Sequence, residues 1–369
     1  MDTPQRAAGL IYGSSAHYLD HLGPLCAALE IPLIVTDEAI ARQAVHYYPR
    51  LQVIHWEALI VTERLVLSFE VIFYCTPRDL FEEIFFFAEQ MLQKKIHTIW
   101  CPHGNSDKGA SLFYMEALRK EKAALVYGKQ LIDFLQNKGS WDSLKGHAIT
   151  GNYRYEFFRE NQPFYETIAR VEIQRKLPQA KKTLLYAPTW KDYENSCSFF
   201  DAIEPLIELL PAEHNLIVKL HPNLEIQEDL QLAELIERYE NHPRVLFLKQ
   251  FPPIYALLHL VDVYIGDMSS IGYDFLTFDK PLFFLNQHER SLEDRGLYLF
   301  RCGVTIEKKD YPRIHEIISH FFQFELRDFS TLRKEVYQYT FGHRRPLSQL
   351  KREIPCLYEV FENSDLNFF

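Results

Sequence analysis

The chain has 369 residues, 47% of them apolar and 24% charged, the balance of a globular protein, and this length suggests two domains with cores of their own. A net charge of −10 excludes a nucleic-acid binder relying on bulk positive charge, but not a local basic pocket for a small phosphate ligand. The six cysteines, at 26, 75, 101, 197, 302 and 356, lack CxxC or zinc-type spacing and read as reduced core thiols in a cytoplasmic compartment. The N-terminus shows no signal-peptide h-region. No apolar run reaches the ~18 residues of a membrane span; the longest, Leu65 to Cys75, is broken by Glu70. The expectation is a soluble cytoplasmic protein, with peripheral attachment to the inner face of the cell membrane left open.

In chain order, Gly9 to Tyr12 reads as a strand, followed by a polar loop that carries His17. A helix (Tyr18 to Glu30), a strand (Pro32 to Val35) and a second helix (Glu38 to Tyr48) come next, then strands at Gln52 to Trp56 and Val66 to Tyr74. Alternation of this kind indicates a parallel α/β sheet. Asp79 to Lys95 reads as one helix, apolar around much of its circumference at Phe85, Phe86 and Phe87; burial between layers and a lipid- or partner-facing patch both fit. The strand His97 to Cys101 ends in Pro102-His103-Gly104-Asn105-Ser106-Asp107-Lys108-Gly109. Ligands of open α/β sheets bind at the carboxyl ends of strands, so His103 is either a functional group there or a solvated loop histidine. Cys101 and His103 have no further ligands nearby, which argues against a metal site.

Strands follow at Ala123 to Tyr127 and Ala148 to Asn152, with a helix from Lys129 to Lys138 between them. The charged, aromatic stretch from Tyr153 to Lys182 contains the domain junction, giving domains 1–160 and 161–369. The rhythm then restarts: a strand at Thr183 to Tyr186 ends in Ala187-Pro188-Thr189-Trp190-Lys191, and one at Leu216 to Leu220 carries Lys219 and ends in His221-Pro222. After a helix (Asp229 to Glu240), a strand (Val245 to Leu248) and another helix (Pro253 to Leu260), Val263 to Ile265 is a buried strand. It turns at Gly266-Asp267 into a helix opening at Ser269-Ser270, with Asp274 one turn on. A helix N-terminus with two hydroxyls suits a phosphate, and a carboxylate at Asp274 suits a ribose; an ordinary Ser-capped helix is the other reading. Lys219 and His221 likewise fit surface ion pairs, Thr189-Trp190 fits loop packing, and Asp267 fits a turn residue better than a catalyst. Pro281 to Leu285 is one more strand, and helices are expected from there to the end.

Four strand ends thus carry polar or phosphate-suited residues, one in the first domain and three in the second, which implies a cleft between two α/β domains for a cofactor-sized ligand. The His103-Gly104 pair, Tyr186 to Lys191, Lys219 to Pro222, Asp267 to Phe275 and Lys280 to Leu285 together resemble the CDP-glycerol glycerophosphotransferase family, which includes the primases and polymerases of wall teichoic acid. The resemblance is strongest over residues 183 to 286.

It implies a GT-B fold: two Rossmann-like domains facing a cleft, with C-terminal helices crossing the junction. It also implies transfer of glycerol phosphate, or another alditol phosphate, from a CDP-activated donor to a glycan or lipid-linked acceptor. By the same resemblance His103 is the general base, and His221 holds the diphosphate or the leaving cytidine monophosphate. Ser269 and Ser270 bind phosphate, Asp274 the ribose, Thr189 and Lys191 line the donor pocket, and Lys219 faces the diphosphate. No cofactor is implied, and without an Asp-x-Asp motif no obligatory metal is expected. The sequence departs from the family at Met268, where an aromatic residue is common, and in the polar loop after His103. A glycosyltransferase or epimerase using a UDP- or CMP-sugar, and a non-catalytic nucleotide-binding domain, are the alternatives.

Overall fold

Apolar runs bounded by polar loops form two parallel sheets in the computed structural model, which describes residues 6–76, 78–107, 118–179, 182–191, 196–226 and 230–361. The first sheet holds β1 (Ala7–Ile11), β2 (Leu33–Val35), β3 (Val53–His55), β4 (Val71–Tyr74), β5 (His97–Trp100), β6 (Ala123–Val126) and β7 (Gly146–Ile149). Its order is β3-β2-β1-β4-β5-β6-β7, parallel throughout. The second holds β8 (Lys182–Ala187), β9 (His214–Lys219), β10 (Val245–Leu248), β11 (Val263–Gly266), β12 (Leu282–Asn286) and β13 (Val304–Glu307). Its order is β10-β9-β8-β11-β12-β13, again parallel. Both sheets therefore reverse their strand order beside their first strand, as in Rossmann-like domains. The expected pair of Rossmann-like domains is present.

The chain divides into two compact units. Unit 1 is Met1–His103, Ser111–Glu160 and Tyr339–Phe369; unit 2 is Gly104–Ala110 and Asn161–Gln338. One division falls after Glu160. Residues 339–361, read from the sequence as part of the second domain, group with unit 1, while residues 104–107 group with unit 2. Ile314–Phe341 is one helix that runs along the chain from unit 2 into unit 1.

Interior strands are buried along their whole length, such as β4 and β11, because helices cover both faces of a parallel sheet. The edge strand β3 is only partly covered. The core of unit 2 joins Leu184 and Tyr186 of β8, Leu216 and Val218 of β9, and Phe199, Ile203 and Leu206 of the helix Phe199–Glu208.

Three expectations are corrected. The run read as a strand from Val66 begins as the end of a helix, Ala58–Ser68; the strand starts at Val71. Asp79 to Lys95 is not one helix but a 3-10 turn (Arg78–Phe81), a short α-helix (Glu82–Phe86) and a π turn (Phe87–Met91). Phe81, Ile84 and Ala88 face inward, and Phe86 is 65% exposed. Finally, β13 interrupts the expected C-terminal helices. Lys108 and Gly109 lie outside the described residues. Among the described residues no helix is long and apolar enough to cross a membrane.

Candidate active site

In unit 2 the strand order reverses between β8 and β11, where the connections depart to opposite faces and leave a crevice at the carboxyl ends. Ala187 of β8 is in register with Gly266 of β11, so the loop from Pro188 and the turn from Asp267 start at the same level. Asp267, 1% exposed, ties them together. Its carboxylate accepts from the Thr189 N–H at 2.6 Å, the Ser198 N–H at 2.9 Å and the Ser198 hydroxyl at 2.8 Å. The Tyr186 hydroxyl lies 2.8 Å from the same Ser198 oxygen. Three donors satisfy this carboxylate in the interior, so Asp267 shapes the loops, beyond the turn role read from the sequence.

The turn continues into the helix Ser270–Phe275. Ser269 is its extended N-cap, and its hydroxyl oxygen accepts from the Ile271 N–H at 3.4 Å. Asp274 is 4% exposed and accepts from the Tyr255 hydroxyl at 3.1 Å; this bond braces the short helix against the helix Ile254–Leu260.

One strand further along the sheet, Lys219 closes β9 at 7% exposure. Next to it His221 accepts at Nδ1 from the Asn223 N–H at 3.1 Å, which places the proton of the neutral ring on Nε2. The ring centroid of Trp190 lies 6.2 Å from that of His221, and the Lys191 ammonium sits 4.0 Å from the centre of the Phe200 ring. Thr189, Lys191, Lys219, His221, Ser269 and Ser270 thus occupy the carboxyl ends of the three adjacent strands β9, β8 and β11. Their polar groups are an imidazole, two ammonium groups and three hydroxyls.

The segment Gly104–Asp107 packs on this turn within unit 2. Gly104 has φ +127°, and a Cβ on it would meet the Ser270 Cβ at 2.8 Å, so only glycine fits. Asp107 Oδ1 accepts from the Tyr273 hydroxyl at 2.6 Å and Oδ2 from the Leu299 N–H at 3.1 Å. Desolvation raises the Asp107 carboxyl to about 6, against the pull of those two bonds. Ser106, Asp107, Met268, Ser269, Tyr273 and Leu299 line a small pocket. At its edge Arg290 donates to the Met268 sulfur at 3.2 Å and pairs with Asp294 at 2.7 Å. The sequence reading missed Asp107, Tyr273 and Arg290.

In unit 1, His103 follows β5 and is ringed by residues of the 3-10 turn Ala16–Tyr18 and the helix Leu19–Leu29. The Tyr18 ring stands edge-on at 5.3 Å, with His17 at 6.1 Å and His21 at 6.5 Å. Desolvation lowers the imidazole of His103 below its ordinary range, and a hydrogen bond to the Cys75 backbone opposes this. Behind it, the Tyr127 hydroxyl donates to the Pro102 carbonyl at 3.0 Å and so accepts from His21 Nδ1 at 2.9 Å. Burial holds His21 well below the usual imidazole range, helped by Arg154, His103 and His17. His21 is therefore a neutral Nδ1–H tautomer, and it supports the backbone that presents His103. Among the described residues no group of three or more His, Cys, Asp or Glu could hold a metal ion.

Fold and strand ends together define an α/β protein of two Rossmann-like units, with polar side chains gathered at the reversal point of the second sheet. Residues 145–300 match the model of the family CDP-Glycerol:Poly(glycerophosphate) glycerophosphotransferase. The teichoic acid glycerol-phosphate primase of Bacillus subtilis (strain 168) is 30% identical over 182 residues, 47% of this chain and 43% of the primase. The teichoic acid poly(glycerol phosphate) polymerase of the same organism is 27% identical over 162 residues, 41% of this chain and 20% of the polymerase. The matched regions therefore span less than half the length of these curated relatives. In fold, the wall teichoic acid polymerase TagF is similar at a TM-score of 0.68, with 13% identity, over 99% of this chain and 90% of that one. The UDP complex of S. aureus MnaA is similar at 0.59, with 12% identity, over 97% of each chain.

Proposed function

We propose that the protein transfers glycerol phosphate, or a related alditol phosphate, from a CDP-activated donor to a hydroxyl of a glycan or lipid-linked acceptor in the synthesis of a cell-envelope polymer. The observation that carries this reading is that the family segment 145–300 contains the three strand ends gathered at the reversal point of the second sheet. The acceptor oxygen attacks the phosphorus that bears the alditol, and the bond from that phosphorus to the oxygen of cytidine monophosphate breaks. The acceptor proton passes to His103, and the electron pair leaves with the nucleotide.

Ser269, Ser270, Lys191 and Lys219 meet the diphosphate. His221 donates through Nε2 to the leaving phosphate, where a positioned donor acts on charge as it develops. Thr189 shapes the nucleotide pocket. Asp274, which the resemblance gives to the ribose, has its carboxylate engaged by Tyr255; in this reading it holds the serine-bearing helix in place. A lipid-linked acceptor would bring the protein to a membrane surface as a peripheral enzyme.

Calorimetric titration with CDP-glycerol, CDP-ribitol, CMP, UDP-GlcNAc and UDP, on the wild type and Ser270→Ala, tests the reading. The expected result is binding confined to the cytidine ligands and weakened by Ser270→Ala. Binding of uridine ligands alone would replace it with a nucleotide-sugar enzyme, and binding without CMP release from any donor would leave a nucleotide-binding domain.

A further inference from the structure

We propose that Asp107 is a positioning residue for this transfer: bonded at once to the Tyr273 hydroxyl and the Leu299 N–H, it latches the segment Gly104–Asp107 onto the Ser269–Ser270 turn and so fixes the anchored end of the segment that follows His103. The inference deepens the proposed function and rests on it for its catalytic consequence, but the latch is a matter of geometry alone.

Three observations converge on it. Gly104 approaches Ser270 so closely that no side chain fits between them. Asp107, three residues later, uses its two carboxylate oxygens on two different elements: the helix Ser270–Phe275 and the 3-10 segment Arg295–Cys302. Between these anchors Ser106 lines the pocket with Met268 and Ser269. The segment is therefore pinned at one end against Ser270, proposed to meet the diphosphate, and at the other by Asp107 to Tyr273 and Leu299. Trans peptide geometry keeps consecutive Cα atoms about 3.8 Å apart, so pinning Gly104 limits the places open to the base that precedes it. Misplacement of a reacting group by about 1 Å costs on the order of a hundredfold in rate. Asp107 touches neither donor nor acceptor in this scheme; it acts through the backbone.

The test compares the wild type with Asp107→Ala, Asp107→Asn and Tyr273→Phe in the full chain. Three measurements are made: CMP release from CDP-glycerol with an acceptor, CMP affinity by calorimetry, and hydrogen–deuterium exchange of peptides covering 101–107 and 296–302. Asp107→Ala is expected to lower kcat at least tenfold while CMP affinity stays within threefold, and to speed exchange in both peptides. Asp107→Asn, whose amide oxygen still accepts from Leu299, is expected to recover part of kcat. Tyr273→Phe should be intermediate and add little to Asp107→Ala in the double variant.

Unchanged kcat, or a parallel loss of kcat and CMP affinity with no rescue by asparagine, overturns the positioning role. If the wild type itself releases no CMP, the proposed function fails and exchange decides the latch alone. Faster exchange at Leu299 in Asp107→Ala then sustains it, and unchanged exchange overturns it.

Discussion

His103 and Asp107 are four positions apart, and burial moves both toward the neutral form: the imidazole titrates below its ordinary range and the carboxyl above. A base lowered below 6.5 is already unprotonated at neutral pH. kcat/KM should therefore be flat near pH 7 and fall only as pH drops through the lowered value, as a pH–rate profile would read. His103→Ala should lose about a hundred- to ten-thousand-fold in kcat with CMP affinity unchanged; retention of most activity would remove His103 from the base role. For Asp107 the linkage has the opposite sense. Its folded-state value of about 6 lies above its ordinary 3.8, so the native state holds the proton more tightly, and stability from this group is full below 3.8 and lost as pH rises through 6. Urea denaturation across that window should show the wild type losing stability relative to Asp107→Asn, with the difference level on either side. At this scale the sequence exposed what is local: histidines and serines stand at strand ends, where chemistry is sought. It concealed the latch, because Tyr273 lies 166 positions from Asp107 and an aspartate in a polar loop carries no local mark.

Among the elements, the loops after β8 and β11 are held in one arrangement by a single carboxylate. Asp267→Ala would leave two backbone N–H groups and the Ser198 hydroxyl without their acceptor. Each orphaned buried donor costs roughly 1–3 kcal/mol. The expected outcome is a fall of about 3 kcal/mol or more in unfolding free energy, together with weakened nucleotide binding; an unchanged denaturation midpoint would contradict it. Most strands could be read from the sequence because a parallel sheet covered on both faces leaves an unbroken apolar run. The same property caused the error at Val66 to Ser68, where a helix passes into β4 with no glycine or proline between them and an apolar run reads alike in either conformation. β13 escaped for a different reason. It is four residues long at the edge of its sheet, with alternate positions only half-buried, too short for its period to register.

At the scale of the whole molecule, two α/β units were legible from the restart of the strand–helix rhythm after residue 160, but the return of the chain to unit 1 was not. That return is extensive. The Tyr339 hydroxyl donates to Asp133 at 2.8 Å, Thr340 to Gln130 at 2.7 Å and Arg344 to Glu156 at 2.9 Å, and Phe361 stacks on His97 at 4.4 Å. A Cβ on Gly128 would strike the Thr340 carbonyl at 2.5 Å. Phe341, Leu350, Ile354 and Phe361 are each at most 1% exposed, and burial of each contributes roughly 1.5–3 kcal/mol. A chain ending at Gln338 would forfeit an amount comparable to the 5–15 kcal/mol that ordinarily separates folded from unfolded states. It should accumulate as insoluble material or lose the unfolding transition of unit 1; a soluble, cooperatively folded truncation would refute this. The feature also sets a schedule. The last strand of the first sheet ends at Ile149, yet the residues that seal it are made about 190 positions later, roughly 10–40 s at common rates of translation. The half of the protein that leaves the ribosome first is therefore the half that finishes folding last, and during that wait its unsealed apolar surface is open to chaperones and to its neighbours on the same message.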